Sequence, residues 1–350
     1  MPGLCRSGDL ATEARWLLES TGMGSSRGAR WRRSAFRALA FAASAAVFWA
    51  STPNGPSSAE SAGCLITERI GSGGQAFHLI GSTCTPEDEA LEVTVFLHGF
   101  FALDPRIYGN WTERLASEGR LVVFPAYQSG VLDLYQTDNA AFAVRRAMAH
   151  TEQGWRGREV DWSGPVYVGH SAGGGIALNL AAMTGVGGLP EPRAVHAVEP
   201  VLNLDRQNPG VPDPLGLVRN ISGIPASTVV TLTVGDRDEI ASDETAFVVW
   251  ERIAHLGDNR RYQILRSTGG GPIANHLVPI AVPGLAIPDL TDAGPLDRLL
   301  WSTLEEMSSC VAGTACAPPP EALGDWPEGL VSADVFVGDT GPYRLTPNAG

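Results

Sequence analysis

The chain has 350 residues, 44% of them hydrophobic and 18% charged, which suits one large or two small globular domains and excludes a disordered, collagenous or coiled-coil protein. A formal charge of −13 leaves no basic surface for neutralising phosphates, so nucleic acid is not an expected partner. All 25 basic residues are arginine, which removes a Schiff-base lysine, a pyridoxal-phosphate site and a lysine-bearing phosphate loop from consideration.

Residues 1–59 read as a leader with a secretory signal. Arg27, Arg30, Arg32, Arg33 and Arg37 precede the apolar run Ala38–Ala50, and small residues follow before Glu60. The run is too short for a bilayer, which needs about 20 residues. Met23 suits such a signal better than Met1 as a start, and Arg32-Arg33 leaves both the general and the twin-arginine export routes open. The mature chain is thus expected to be secreted or periplasmic, without a membrane span. Its four cysteines fall in two local pairs, Cys64 with Cys84 and Cys310 with Cys316. An even count in an exported chain points to disulfides, and neither pair has the spacing of a zinc site.

Residues 60–316 alternate short apolar runs with amphipathic stretches. A Gly-centred hairpin over 64–82 opens the series. Leu91–Leu97, Leu121–Phe124, Val166–Val168, Ala194–Val198, Val229–Val234 and a last strand near Arg261–Arg266 read as buried strands. Ile107–Ser117, Asp138–Ala149, Ser171–Met183 and Glu244–His255 read as helices, giving an α/β fold with both faces of a mainly parallel sheet covered. Residues 200–226 have no period and read as a long binding loop; 317–350, rich in Pro and Gly, read as a loosely packed tail.

Gly169-His170-Ser171-Ala172-Gly173 lies between an expected strand and an expected helix. In that context G-x-S-x-G is a nucleophile elbow, a sharp turn that exposes the Ser171 hydroxyl at the carboxyl edge of the sheet. A serine nucleophile needs a base. Of seven histidines only His276 follows the last expected strand, where such a base belongs. An acid to orient it can come from Asp238, with Asp236 beside it in Gly235-Asp236-Arg237-Asp238, or from Glu199 at the end of the preceding strand. Asp238 is preferred. The backbone amides of Phe100, in the turn after Leu91–Leu97, and of Ala172 are the candidate oxyanion donors.

The order FLHGF, LVVFPAY, GHSAGGG, DEIA and NHLVP resembles the α/β-hydrolase superfamily over residues 90–280, and most closely its dienelactone-hydrolase, chlorophyllase and polyester-hydrolase (cutinase-like) branch. The resemblance implies an α/β-hydrolase fold and a cofactor-free, metal-free serine esterase acting on small-molecule or lipid-like esters. Carried over, the triad is Ser171, His276 and Asp238. Two features depart from the branch. Ser171 stands where dienelactone hydrolases have Cys, and Val198-Glu199-Pro200 stands where the polyester hydrolases have an aromatic-clamping Trp. An acyltransferase or peptidase on the same triad, and a non-catalytic binding protein on the same fold, are the alternatives.

Overall fold

A computed structural model describes residues 63–86, 89–130, 133, 135–185, 188–202, 221–241, 243–268, 272–280, 294–308, 322–323 and 331–345. The leader, the Cys310–Cys316 pair and most of the 200–226 loop therefore lie outside the described residues.

Among the described residues ten strands form one sheet in the order β1-β2-β4-β3-β5-β6-β7-β8-β10-β9. The hairpin β1 (Leu65–Ile70) and β2 (Ala76–Ser82) is antiparallel and joins β4 (Arg120–Ala126) in antiparallel register. From β4 the sheet runs parallel through β3 (Leu91–Leu97), β5 (Val160–His170), β6 (Ala194–Val198), β7 (Val229–Gly235) and β8 (Arg260–Leu265). These central strands are rich in Val, Leu and Ile because both of their faces are buried. All residues of β6, β7 and β8 are buried, including the polar Thr231, Thr233 and Gln263; Thr233 Oγ1 donates to Gln263 Oε1 at 3.1 Å, and the same oxygen accepts from Thr303 Oγ1 at 3.2 Å.

Two helical layers cover the sheet. On one face α2 (Gln136–His150), α3 (Ala172–Ala182) and α4 (Glu244–Arg252) pack with the inward side chains Leu91, Val93, Val95 and Leu97 of β3. On the other, α1 (Gly109–Ser117) and α5 (Gly294–Ser308) close over Phe96, Val122, Phe124, Val166 and Val168. Alternate residues of one strand thus serve two cores, as a period of two requires. Helix α3 is buried throughout and nearly all apolar, so it lies in the interior instead of presenting a solvated stripe. The two layers and strand order, helices on both faces of a mostly parallel sheet, make this an α/β-hydrolase fold.

The differences from the sequence reading have local causes. β5 starts six residues earlier than Val166, because Asp161-Trp162-Ser163-Gly164-Pro165 hides the strand pattern while a register shift between Glu92 and Thr94 accommodates it. Helix α5 has no counterpart in that reading, although Leu296, Leu299, Leu300, Thr303, Leu304 and Met307 recur at helical spacing and are all buried. The segment read as a loose tail includes β10 (Val331–Val337), which pairs antiparallel with β8 from Ala333–Leu265 to Val337–Arg261. The prolines before it dominate the composition there, but a Pro-rich approach does not prevent pairing at a sheet margin. Among the described residues no helix is long and apolar enough to cross a membrane.

Cys64 and Cys84 lie at disulfide distance, Cα–Cα 5.4 Å, and close a 20-residue segment around the edge hairpin. Converting both to Ala should cost about 3 kcal/mol in the chain-entropy account, read as a lower urea midpoint. An unchanged midpoint would show that the bridge adds nothing to the fold.

Candidate active site

The site is assembled where β5, β6 and β7 end. Ser171 is the hinge between β5 and α3 and has φ 56° and ψ −122°, a conformation that a residue with a Cβ adopts only under strain of roughly 1–3 kcal/mol. The turn is pinned from both sides. The Ser171 N–H donates to Val198 O at 2.9 Å, and its own carbonyl accepts from Gly174 and Val201 at 3.0 Å each. Gly169 and Gly173 make this approach possible. A Cβ on Gly169 would run into the Gly173 carbonyl, and one on Gly173 into the carbonyls of Leu97 and His98. The first turn of α3 therefore rests directly on the end of β3.

Three side chains sought from the sequence meet here. Asp238 Oδ2 accepts from His276 Nδ1 at 2.8 Å, and Ser171 Oγ lies 2.9 Å from His276 Nε2. Because a carboxylate only accepts, Nδ1 carries the proton and Nε2 is left to accept from the serine hydroxyl. Asp238 is in turn held by two backbone donors, Ile240 N–H at 2.7 Å and Ala241 N–H at 2.8 Å, both to Oδ1. Its side chain is 1% exposed, so it is fixed and largely dry. Ser171 and His276 are also buried, at 8% and 6% exposure.

The other two acid candidates are placed differently. Asp236 is turned to Ser267, accepting from its N–H at 3.0 Å and its hydroxyl at 2.5 Å, and so ties β7 to the loop after β8. Glu199 is wholly buried, with Oε2 3.6 Å from His276 Nδ1 and 3.5 Å from His170 Nε2, yet neither carboxyl oxygen has a hydrogen-bond partner among the described residues. Burial, assisted by the nearby charge of Asp238, pushes its pKa well above the ordinary carboxyl range.

Oxyanion donors require free amides. In the turn after β3, Gly99 N–H donates to Tyr108 Oη at 2.7 Å, Phe101 N–H to Gln128 Oε1 at 2.8 Å, and Ala102 N–H to Gly99 O at 3.0 Å. The Phe100 amide between them has no partner among the described residues. Ala172 is the first residue of α3, where the N–H has no intrahelical acceptor. Gly173 packing on Leu97 and His98 sets these two amides on neighbouring turns. A cavity of about 590 Å³ lined by Arg69, His78, Asp104, Arg106 and Gln128 shares Gln128 with the first of these turns, but Ser171 does not line it.

His170, inside the elbow, links the parts. Its Nε2–H donates to the backbone carbonyl of His276 at 2.9 Å. Its Nδ1 therefore accepts from the Tyr108 hydroxyl, also at 2.9 Å, and that oxygen accepts from Gly99. One hydrogen-bonded chain thus runs from the Phe100 turn to the backbone of His276. Only tertiary structure could reveal it, since Tyr108 and His170 are far apart in sequence. His170, Glu199 and His276 also have metal-ligand atoms within 4.8 Å of one another. All four imidazole nitrogens are already taken by hydrogen bonds, which leaves only the Glu199 oxygens available to an ion.

Neither a protein-family profile nor a curated protein sequence matches the chain. Solved structures do resemble it. Carboxyl esterase 2 of the mycorrhizal fungus Tuber melanosporum superposes with a TM-score of 0.50 at 17% identity, over 71% of this chain and 88% of its own. Esterase B of Lactobacillus rhamnosis, whose structure was determined with a tributyrin phosphonate inhibitor, superposes with a TM-score of 0.52 at 16% identity, over 79% and 96%. At these identities the likeness concerns the fold.

Replacing Gly173 by Ala should displace α3 from β3, lowering stability by roughly 1–3 kcal/mol or more, whereas Gly130→Ala, with open space around it, should stay within about 0.5 kcal/mol. Equal urea midpoints for the two variants would contradict the close approach at the elbow.

Buried histidines also set the acid limit. Burial lowers His98 to about 4 and His196 to about 3, and holds His170 well below its usual value. Below about pH 6.5 the unfolded chain therefore binds protons that the folded chain refuses. Stability from these groups is present above pH 6.5 and is lost progressively as pH falls towards 4. Glu199, protonated when folded, acts in the opposite sense above about pH 4.5, but three histidines outweigh one carboxyl. The urea midpoint should be clearly lower at pH 5 than at pH 7, and a midpoint independent of pH would show that these histidines are not buried in neutral form.

Proposed function

We propose that the chain is an exported serine hydrolase of carboxylic esters, working through Ser171, His276 and Asp238 without a cofactor. The observation that carries this reading is the continuous alignment Asp238–His276–Ser171 at 2.8 and 2.9 Å on a strained strand-to-helix turn. Export is supported by the leader pattern of residues 1–59 and by the Cys64–Cys84 pair, since disulfides persist in oxidising compartments. Both structural neighbours are esterases, which agrees with the reading.

In this mechanism the ester carbonyl lies over Ser171 with its oxygen towards the Phe100 and Ala172 amides. Ser171 Oγ attacks the carbonyl carbon as His276 Nε2 takes the hydroxyl proton, and the resulting imidazolium is stabilised by Asp238. The two amides stabilise the oxyanion, a contribution of about 3 kcal/mol of barrier for a single donor. Collapse breaks the bond to the leaving alcohol, which takes the proton from His276. Water then repeats the sequence in reverse on the acyl-enzyme, releasing the acid and restoring Ser171. Phe100 and Phe101, whose rings meet edge to face at 4.8 Å in the turn carrying the first of these amides, offer an apolar surface that suits an aliphatic acyl chain better than a charged one.

Ser171→Ala should abolish labelling by a fluorophosphonate and reduce turnover of 4-nitrophenyl butyrate by at least about 10⁴-fold, with His276→Ala costing about as much because the residues act as a unit. The two variants should retain the parent's circular dichroism. Undiminished hydrolysis by Ser171→Ala would refute the proposal. Faster release of product in the presence of a competing alcohol, with the new ester as the main product, would favour the acyltransferase reading.

A further inference from the structure

We infer that Glu199 is a reserve acid for the triad, a positioning residue able to take over the Nδ1–H of His276 from Asp238. The inference rests on the reading of Ser171, His276 and Asp238 given above, and it concerns a carboxyl for which that mechanism has no use.

Glu199 is anomalous in two respects. It is fully buried, yet both carboxyl oxygens lack hydrogen bonds among the described residues, whereas buried polar groups in folded proteins are nearly always paired. Its backbone is left-handed, with φ 48°, an unfavourable state for a residue with a long side chain. That strained backbone is fixed at β6's end by Glu199 N–H donating to Thr233 O at 2.7 Å. The outcome is a carboxyl aimed at the triad: Oε2 stands 3.6 Å from the same imidazole nitrogen that donates to Asp238. A shift of less than 1 Å would bring it into hydrogen-bond range.

The groups around it explain why the second acid is silent. Asp238 faces it from the end of β7, His276 from the loop after β8, His170 from the end of β5, and Tyr108 from the start of α1. Gly235 leaves it room, since a Cβ there would stand 3.0 Å from Oε1. His170 offers no proton to it, because its Nε2–H is committed to the His276 carbonyl. Asp238 alone has two backbone donors to stabilise a negative charge. Burial first and the neighbouring Asp238 second disfavour the charged form of Glu199, so Asp238 carries the charge and Glu199 keeps its proton; after loss of the Asp238 charge, the hydrogen bond that Glu199 can form with His276 Nδ1–H offsets the burial. Loss of the Asp238 charge removes the repulsion. Glu199 then gives its proton to solvent, and the carboxylate formed accepts from His276 Nδ1–H, preserving the tautomer that leaves Nε2 free to take the Ser171 proton.

The test is a double-mutant cycle on the full mature chain with Asp238→Asn, Glu199→Gln and the pair, each checked by circular dichroism. Glu199→Gln should lower kcat/KM by less than tenfold. Asp238→Asn should lose no more than about 10²-fold and acquire a new rise in rate with pH that reflects ionisation of Glu199. The double variant should lose at least a further 10²-fold and lack that rise. NMR titration of His276 supplies a readout that needs no turnover: its imidazole should titrate higher in Asp238→Asn than in the double variant. Identical rates and identical His276 titrations in those two variants would overturn the inference, as would a Glu199→Gln variant as inactive as His276→Ala. Failure of the parent protein to react with fluorophosphonate or esters would sink the hydrolase reading instead, and the titration would still decide the role of Glu199.

Discussion

The contact on which this structure turns is the close approach of α3 to the ends of β3 and β5. It is possible only because Gly169 and Gly173 lack side chains, and it forces Ser171 into a left-handed turn. The strain is sustained by neighbours that leave no alternative: Val198 O takes the Ser171 amide, and Val201 and Gly174 take its carbonyl. Helix α3 is in turn buried between α2 and the sheet, so the turn cannot relax without disturbing the larger of the two cores. A hydroxyl on such a turn keeps one orientation while the sheet remains intact, which is the form of preorganisation that acyl transfer needs.

A second constraint is the neutral, buried polar chain from Gly99 through Tyr108 and His170 to the His276 carbonyl. Each member is satisfied on both sides, with bond lengths of 2.7, 2.9 and 2.9 Å. Burial raises the Tyr108 hydroxyl above its ordinary pKa and depresses that of His170, so neither changes charge near neutral pH. A network whose members do not titrate holds a fixed geometry around His276. His98 extends the same frame, stacking on Tyr127 at 4.1 Å and receiving that residue's hydroxyl at its carbonyl, which steadies the turn carrying Phe100.

The ends of β5, β6 and β7 are adjacent, so residues that follow them fall within one small volume. This explains why three acids in two loops competed in the sequence. Asp236 and Asp238 are two residues apart, but the turn after Gly235 sends one to Ser267 and the other to His276. Glu199 reaches the same imidazole from the neighbouring strand and stops 3.6 Å short. The distinction between them is a matter of about an ångström and of which carboxyl finds backbone donors.

The sequence by itself determined what depends on local pattern. Runs such as LEVTVFL and VVTLTV are strands because a strand buried on both faces has no polar period to lose, and they match β3 and β7 almost to the residue. Gly169–Gly173 declared the elbow because a turn this tight admits few residues, and His276 could be singled out because the chain offered no other histidine after the last parallel strand. Other features were open to tertiary structure alone. The first half of β5 and all of β10 are strands because a neighbour supplies their hydrogen bonds, whatever their own weak pattern. Which acid faces His276, and the bridge from Tyr108 to His170, depend on distances between residues remote in sequence. Such distances follow from how the strands are ordered and packed, and residue type at a single position carries no record of them.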